Sequence, residues 1–199
     1  MNASYEKLYI VMNKPAGYVC SAVSDSHKTV YELLPENLRE LMNAKRGQRL
    51  HSIGRLDCDT SGLLLFTNDG FFSHQLTAPD QHVFKTYKVK LASHVSKDKQ
   101  QAITSLFAKG ITLPPEKKAP EQQCSPAQIT FFSEVEAEVI IQEGKFHQVR
   151  RMFRAVKNEV VELKRISVGN FMLPGELAPG EYRFLSEEEI QSFMNLSPV

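Results

Sequence analysis

Short apolar runs, broken by glycine and proline, dominate the pattern of the chain. Leu8 to Met12 and Leu63 to Phe66 are continuous apolar runs, which predict short buried strands. Phe84 to Leu91 and Phe131 to Gln142 alternate between apolar and polar positions, which predicts strands with one solvated face. Two more strands are predicted over 160–168 and 181–185. The chain is therefore expected to contain a sheet.

Helical spacing appears between these runs. Thr29 and Glu32 have the spacing of a capping box, and leucines follow at helical intervals as far as Leu41, which predicts one core-packing helix. Ser96 to Lys109 reads as an amphipathic helix that Gly110 ends. Shorter helices are predicted at 71–76 and after Ser186, and the segment 113–126, rich in proline and lysine, is predicted to be a surface loop.

A third helix is predicted within Glu143 to Arg154 and has two contrasting faces. At about 100° per residue, one apolar stripe collects Phe146, Val149, Met152, Phe153 and Val156. The opposite face collects His147, Arg150, Arg151 and Arg154. A basic helical face is usually only solvated, but it is also the kind of surface that binds nucleic acid.

Composition limits the possible classes of protein without choosing one. The chain has 199 residues, a net charge of +1 and three cysteines whose spacing fits neither a disulfide framework nor a metal site. No apolar stretch has the length of a signal peptide core or of a membrane helix, so a cytoplasmic protein without membrane contact is expected. No bound metal is expected either.

The stretch Gly54 to Gly70 combines chemistry with structure. Arg55 and Asp57 lie in a loop that glycines bound, a buried strand follows, and Asn68-Asp69-Gly70 supplies turn residues. An aspartate at the mouth of a strand, beside an arginine, is a common way to present a reactive carboxylate. The plainer alternative is a polar loop next to a core strand.

Several motifs together resemble one family, the RsuA-type pseudouridine synthases of bacteria. Those motifs are Asn13-Lys14-Pro15-Ala16-Gly17-Tyr18-Val19-Cys20-Ser21, Gly54-Arg55-Leu56-Asp57 with its continuation to Gly70, Lys85-Thr86-Tyr87, Gly144 to Phe153, and Leu177 to Arg183. The resemblance implies the α/β (α+β) pseudouridine synthase fold, in which helices flank a long, mainly antiparallel mixed sheet with a central cleft. It also implies isomerisation of uridine to pseudouridine in ribosomal RNA, without a cofactor.

The same resemblance implies roles for individual residues. Asp57 would be the catalytic carboxylate, Arg150 its ion-pair partner, and Tyr87 the side chain against the target uracil. Arg55 would occupy the space that the flipped base leaves or hold its phosphate. Contact with the RNA backbone is expected from Lys145, His147, Arg151 and Arg154, whereas Lys14 is either an RNA contact or an ordinary turn lysine.

Several alternatives remain open. One catalytic domain over 1–199, with two lobes possible, is expected to act as a monomer, without the S4-like RNA-binding module that the family usually has in front of it. Tyr18 to Ser21 and His147-Gln148 look more like the small-subunit enzyme, which favours 16S over 23S ribosomal RNA. A non-catalytic ribosome-assembly factor is a further alternative. A phosphatase of the haloacid dehalogenase type is disfavoured, because Arg55 interrupts the strand that such a nucleophile loop should follow.

Overall fold

The computed structural model describes residues 6–45, 47–117 and 119–194. Its strands, in chain order, are β1 (Tyr9–Lys14), β2 (Tyr18–Val19), β3 (Lys28–Thr29), β4 (His51–Ile53), β5 (Thr60–Thr67), β6 (Lys85–Leu91), β7 (Thr112–Leu113), β8 (Gln122–Gln123), β9 (Gln128–Phe131), β10 (Glu136–Ile141), β11 (Val160–Val168), β12 (Phe171–Met172) and β13 (Tyr182–Phe184). Its α-helices are α1 (Glu36–Glu40), α2 (Gly70–Thr77), α3 (Lys97–Phe107), α4 (Gln148–Ala155) and α5 (Glu187–Met194). The chain divides into two compact units, Met1–Val83 with Val168–Val199, and Phe84–Ser167.

The first unit is built around β5. This strand pairs with β1 on one side and β4 on the other, and β1 also pairs with β13, all antiparallel. Leu63, Leu64 and Phe66 are fully buried, as the continuous apolar run predicts. Helices α2 and α5 pack beside this sheet, where Phe72 of α2 meets Phe193 of α5 edge to face, with 5.6 Å between the ring centroids. The core of this unit therefore lies directly behind the strand that follows Asp57.

The helix predicted from the Thr29 capping box is wrong in its extent. The Glu32 carboxylate does accept the Thr29 backbone N–H at 2.7 Å. A 3₁₀ turn over Val30–Leu33 then ends, and α1 starts only after Pro35. Proline disfavours the helical conformation of the residue before it, and Leu34 is extended, with ψ at 151°. The leucine spacing thus continues across an interruption of the helix.

The main strands of the second unit follow one another in the sheet order β11, β6, β10, β9. The pairs β6–β10 and β10–β9 are antiparallel. The strand predicted over 131–142 is confirmed as β10, with Ala137, Val139 and Ile141 buried, but its predicted start is wrong, because the chain turns at 132–135 and Phe131 belongs to β9. The segment 113–126 is not wholly loop, since β7 and β8 form a short antiparallel pair within this region. Helix α3 is confirmed, with Ser96 at its N-cap.

The fold class is confirmed as mixed α and β with mainly antiparallel strand pairing. The two-residue pair β2–β3 is a parallel exception. None of the helices within the described ranges is long and apolar enough to cross a membrane. The central cleft stays a prediction.

Candidate active site

The loop that carries Asp57 is fixed by backbone contacts on both sides. Gly17 donates its N–H to the Cys58 carbonyl at 2.7 Å, and Thr60 donates to the Asp57 carbonyl at 3.1 Å. The Leu56 N–H meets the Cys20 sulfur at 3.3 Å. The Asp57 side chain itself is half-buried. A half-buried carboxylate on an immobilised backbone has a defined direction, which is what a nucleophile or general base requires.

Lys14, at the end of β1, holds this loop from inside the protein. Its ammonium contacts the carbonyl oxygens of Asp57 at 3.0 Å, Cys58 at 3.3 Å, Thr60 at 2.6 Å and Pro15 at 3.2 Å. The side chain is fully buried. Burial lowers the pKa of Lys14, and the nearby cysteines and aspartates only partly offset that effect. Lys14 is therefore a scaffold for the Asp57 loop.

Asp69 anchors the other end of β5, a role beyond the turn chemistry that its sequence context indicates. Its carboxylate accepts the Phe71 and Phe72 N–H groups at the start of α2, the Tyr9 hydroxyl at 2.9 Å and the Lys7 ammonium at 2.7 Å. Burial and the bond to Asp69 raise the pKa of Tyr9 to about 12. The N-cap spacing in the sequence, Asp69 followed by Gly70 and two aromatic residues, could have revealed this anchor.

Tyr87 lies in the second unit, on β6, and is 8% exposed. Lys85 shares its face of the strand by alternation and is half-buried. Burial, and after it the neighbouring Arg165 on β11, lower the pKa of Lys85 to about 8. The sequence placed Lys85 two residues from Tyr87 on one face of the strand, but only the pairing of β6 with β11 brings Arg165 near Lys85. Two partly desolvated cations thus lie on this part of the sheet.

Arg150 and Arg151 are adjacent on α4 and have different surroundings. Arg150 is 8% exposed and donates from Nη1 to the Val160 carbonyl at 2.8 Å. Arg151 is fully buried. Its guanidinium donates to the carbonyl oxygens of Leu113, Pro114, Pro120 and Phe146, at 3.5, 2.8, 2.6 and 3.2 Å. Arg151 therefore ties the turn before α4 to the segment that joins β7 and β8.

These two buried cations revise the sequence interpretation. Lys14 and Arg151 were candidates for contact with RNA, and both have no exposed surface. A cation with its donors engaged by internal carbonyls has little left for a phosphate. We therefore assign both residues to the scaffold. Arg55 differs, because its side chain is exposed.

The remaining basic residues near α4 have internal acidic partners. The Glu116 carboxylate contacts His147 Nδ1 at 3.0 Å and Arg154 Nη1 at 2.7 Å. Burial acts to raise the pKa of Glu116, but the bonds from His147 and Arg154 outweigh it and lower the pKa. Lys145 pairs with Glu143. Much of the predicted basic face is thus neutralised within the protein, although Arg154 is 43% exposed.

The apolar stripe predicted for this helix is only partly correct. Val149, Met152 and Phe153 are buried, as the periodicity indicates. Phe146 is 43% exposed and lies before the helix, which begins at Gln148. The N-cap residue His147 has a left-handed backbone conformation, with φ at 47°. Counting at 100° per residue therefore fails across His147 and misplaces the residues in front of it.

The residues described by the structure include no group of three histidine, cysteine or acidic side chains placed to hold a metal ion. The candidate residues themselves offer a carboxylate, a phenol and several basic side chains.

Comparison with known proteins identifies the family. The family model of RNA pseudouridylate synthases matches residues 8–155. Ribosomal small subunit pseudouridine synthase A of Escherichia coli K12 is 45% identical over 184 residues, 92% of this chain and 73% of the relative. The protein of the same name from Vibrio cholerae is 43% identical over 185 residues, again 92% of this chain and 73% of the relative.

Solved structures agree. A crystal structure of a pseudouridylate synthase superposes with a TM-score of 0.81 at 39% identity, over 94% of this chain and 74% of that one. A Cbf5-Nop10-Gar1 complex superposes with a TM-score of 0.57 at 20% identity, over 86% of this chain and 52% of that chain, which is a likeness of fold alone. The family predicted from the motifs is thereby confirmed: the chain belongs to the RNA pseudouridylate synthases, and it is an isomerase.

Proposed function

We propose that this protein isomerises a specific uridine of small-subunit ribosomal RNA to pseudouridine, with Asp57 as the reacting carboxylate. The family match over 8–155 carries the proposal, because it includes Asp57, Tyr87 and Arg150 in the motifs that resemble RsuA-type enzymes. The relatives at 42–45% identity bear the name ribosomal small subunit pseudouridine synthase A, which supports the choice of RNA.

The reaction is balanced without a cofactor. The bond between N1 of uracil and C1′ of ribose breaks, the base turns, and a bond forms between C5 and C1′. The C5 proton is lost and N1 ends protonated, so no atom is gained or lost. The chemistry therefore needs a carboxylate, a way to hold the detached base, and a route for one proton.

The residues of this chain supply those needs. Asp57 would react at the junction of base and ribose, and a fixed loop would keep its carboxylate aligned. Arg150 would keep that carboxylate ionised and oriented, since an opposite charge lowers the pKa of an acid. Tyr87 would lie against the uracil and assist loss of the C5 proton. Lys85 and Arg165 would add positive charge near the base.

The target base must leave its stack to react, which is how enzymes generally reach a base. Arg55 is exposed and two residues from Asp57, so it would fill the vacated space or hold the phosphate of the flipped nucleotide. Of the other predicted RNA contacts, Arg154, Lys145 and His147 remain in the proposal, whereas Lys14 and Arg151 do not. The proposal locates the reaction in the cytoplasm, on ribosomal RNA, with the chain acting as a monomer.

The experiment maps pseudouridine in ribosomal RNA from cells with and without the gene, using a label that stops reverse transcription. Loss of one small-subunit pseudouridine is the expected result. Loss of a pseudouridine in large-subunit RNA would agree with the proposed reaction but would refute small-subunit RNA as the substrate. An unchanged map from a strain without other synthases would favour a non-catalytic assembly factor.

Purified Asp57→Asn is the matching test of the residue. Asparagine preserves shape and removes the reactive charge, so no product is expected while RNA affinity is retained. Asp59→Asn is the control, because Asp59 is an exposed carboxylate of the same loop and should remain active. An active Asp57→Asn enzyme would refute the assignment.

A further inference from the structure

An aromatic surface at the start of α4 has no role in the proposed chemistry. Phe146 is 43% exposed, and one face of its ring stacks on His147, with 3.9 Å between centroids and 15° between planes. The exposed part of the ring faces solvent. A flat apolar ring backed by a second ring is the shape on which a nucleobase stacks.

The turn that holds this ring is fixed before any ligand arrives. The Gln148 side chain accepts the Lys145 N–H at 2.9 Å and donates to the Glu143 carboxylate at 2.7 Å. Arg151 donates to the Phe146 carbonyl at 3.2 Å. The turn has thus already lost its conformational entropy on folding, so a ligand that binds the exposed face of Phe146 does not have to order it.

Positive charge lies beside the ring pair. His147 Nδ1 contacts one oxygen of Glu116, and Arg154, 43% exposed, contacts the other. A base on Phe146 would therefore have a cation within reach of its phosphate. Phe146 also precedes Arg150 by only four residues, and Arg151 joins the turn of Phe146 to the helix that carries Arg150.

We propose that the exposed face of Phe146 binds an unpaired base of the RNA substrate by stacking. The proposal rests on the proposed function, because it takes RNA as the ligand. It adds a base-binding site that depends on a π-face and is therefore tolerant of base identity.

The chain contains no tryptophan, so each Phe→Trp variant carries a single fluorescent probe. The measurement compares Phe146→Trp with Phe132→Trp, the control, since Phe132 belongs to the same unit and is 64% exposed. The ligands are hexauridylate and the same backbone without bases. They are added at low salt, where backbone attraction is strongest, to concentrations at which anisotropy of a labelled copy shows saturation.

Hexauridylate should quench Phe146→Trp, and the abasic chain should leave it unchanged. Phe132→Trp should respond to neither ligand. Equal quenching by the abasic chain, equal quenching at position 132, or no quenching at saturation would each overturn the stacking site. Product formation by the parent protein on ribosomal RNA separates the two proposals: product from the parent without quenching of Phe146→Trp removes only the stacking site, and no product from the parent removes the proposed function too.

Steady-state kinetics provide a second readout. Phe146→Ala should raise KM about tenfold, the order expected for loss of one base–aromatic stack, with kcat nearly unchanged. Phe146→Tyr should restore KM, because it keeps the ring, and Phe132→Ala should behave as the parent protein. A fall in kcat with unchanged KM would overturn base stacking in favour of a structural role.

Discussion

Replacement of Lys14 by methionine tests whether a buried ammonium holds the catalytic loop in place. Methionine fills a similar length of the site and removes every donor. The ammonium has three protons for its four carbonyl contacts, so the longer contacts to Pro15 and Cys58 share one proton. Each bond from a charged donor contributes about 1.5–3 kcal/mol, so the gross loss for three protons is about 4.5–9 kcal/mol.

Two effects reduce that figure. The lowered pKa of Lys14 indicates that desolvation of the ammonium opposes its bonds. The carbonyls of Asp57 and Cys58 also keep one backbone donor each, from Thr60 and Gly17. We therefore expect the free energy of unfolding to fall by about 2–4 kcal/mol, which lowers Tm by about 5–15 °C for a chain of this size.

The assay combines thermal melting with kinetics well below the lower Tm. Because the lost contacts support Asp57, kcat should fall about 10- to 100-fold while the KM for RNA changes little. Lys28→Met is the control, since Lys28 is exposed in the same unit and should shift neither quantity. A Lys14→Met protein with the parent Tm and kcat would refute the reasoning. A raised KM at unchanged kcat would instead support the earlier expectation that Lys14 contacts RNA.

Three further predictions follow from the contacts. Arg151→Lys should lower the free energy of unfolding by about 2 kcal/mol, because one ammonium cannot replace a guanidinium that reaches four carbonyls; a denaturant midpoint equal to that of Arg154→Lys would contradict this. Asp69→Asn should make the free energy of unfolding less dependent on pH under acidic conditions. Burial acts to raise the pKa of Asp69, but the bonds from Lys7 and Tyr9 outweigh that effect, so the pKa is lowered on folding. The unfolded state therefore binds more protons, and the parent protein loses the stabilisation that Asp69 provides as pH falls through the folded pKa. Parallel curves for the two proteins between pH 3 and 6, spanning the ordinary range of an aspartate, would contradict the assignment. Finally, log affinity for single-stranded RNA against log salt should have a slope near −3 if the four retained residues Arg55, Lys145, His147 and Arg154 meet phosphates; about −4 is expected if all six predicted residues did, and a slope that steep would return Lys14 and Arg151 to the interface.

Local patterns were sufficient for much of the fold. Continuous apolar runs became β1 and β5, alternation located β6, and a serine N-cap located α3. The two errors in the helices share a cause. Pro35 and His147 each interrupt a helical count with a backbone conformation that periodicity does not register, and the resulting shift affected both the helix after Thr29 and the position of Phe146.

The candidate site was predictable where a motif names the residue and unpredictable where long-range packing decides its role. Lys14 reads as a turn lysine in sequence, and only the return of the chain at 57–60 buries it. Glu116 gave no local signal, since its partners His147 and Arg154 lie more than thirty residues away along the chain. Side-chain type is local information, whereas desolvation depends on the whole fold.

Helix α4 shows why a count of basic residues is a poor measure of RNA binding in this protein. Five basic residues from Lys145 to Arg154 have internal partners: Lys145 pairs with Glu143, His147 and Arg154 share Glu116, and Arg150 and Arg151 donate to backbone carbonyls. These contacts fix the turn and the helix that present Arg150 and the ring of Phe146. Charge on this helix therefore acts mainly on geometry, and affinity must come from a few exposed groups and from stacking. This separation between residues that fix the geometry and residues that bind RNA suits an enzyme that must align one base, because alignment depends on rigid support. Attraction between basic side chains and the RNA phosphates alone would hold many positions of the RNA equally well.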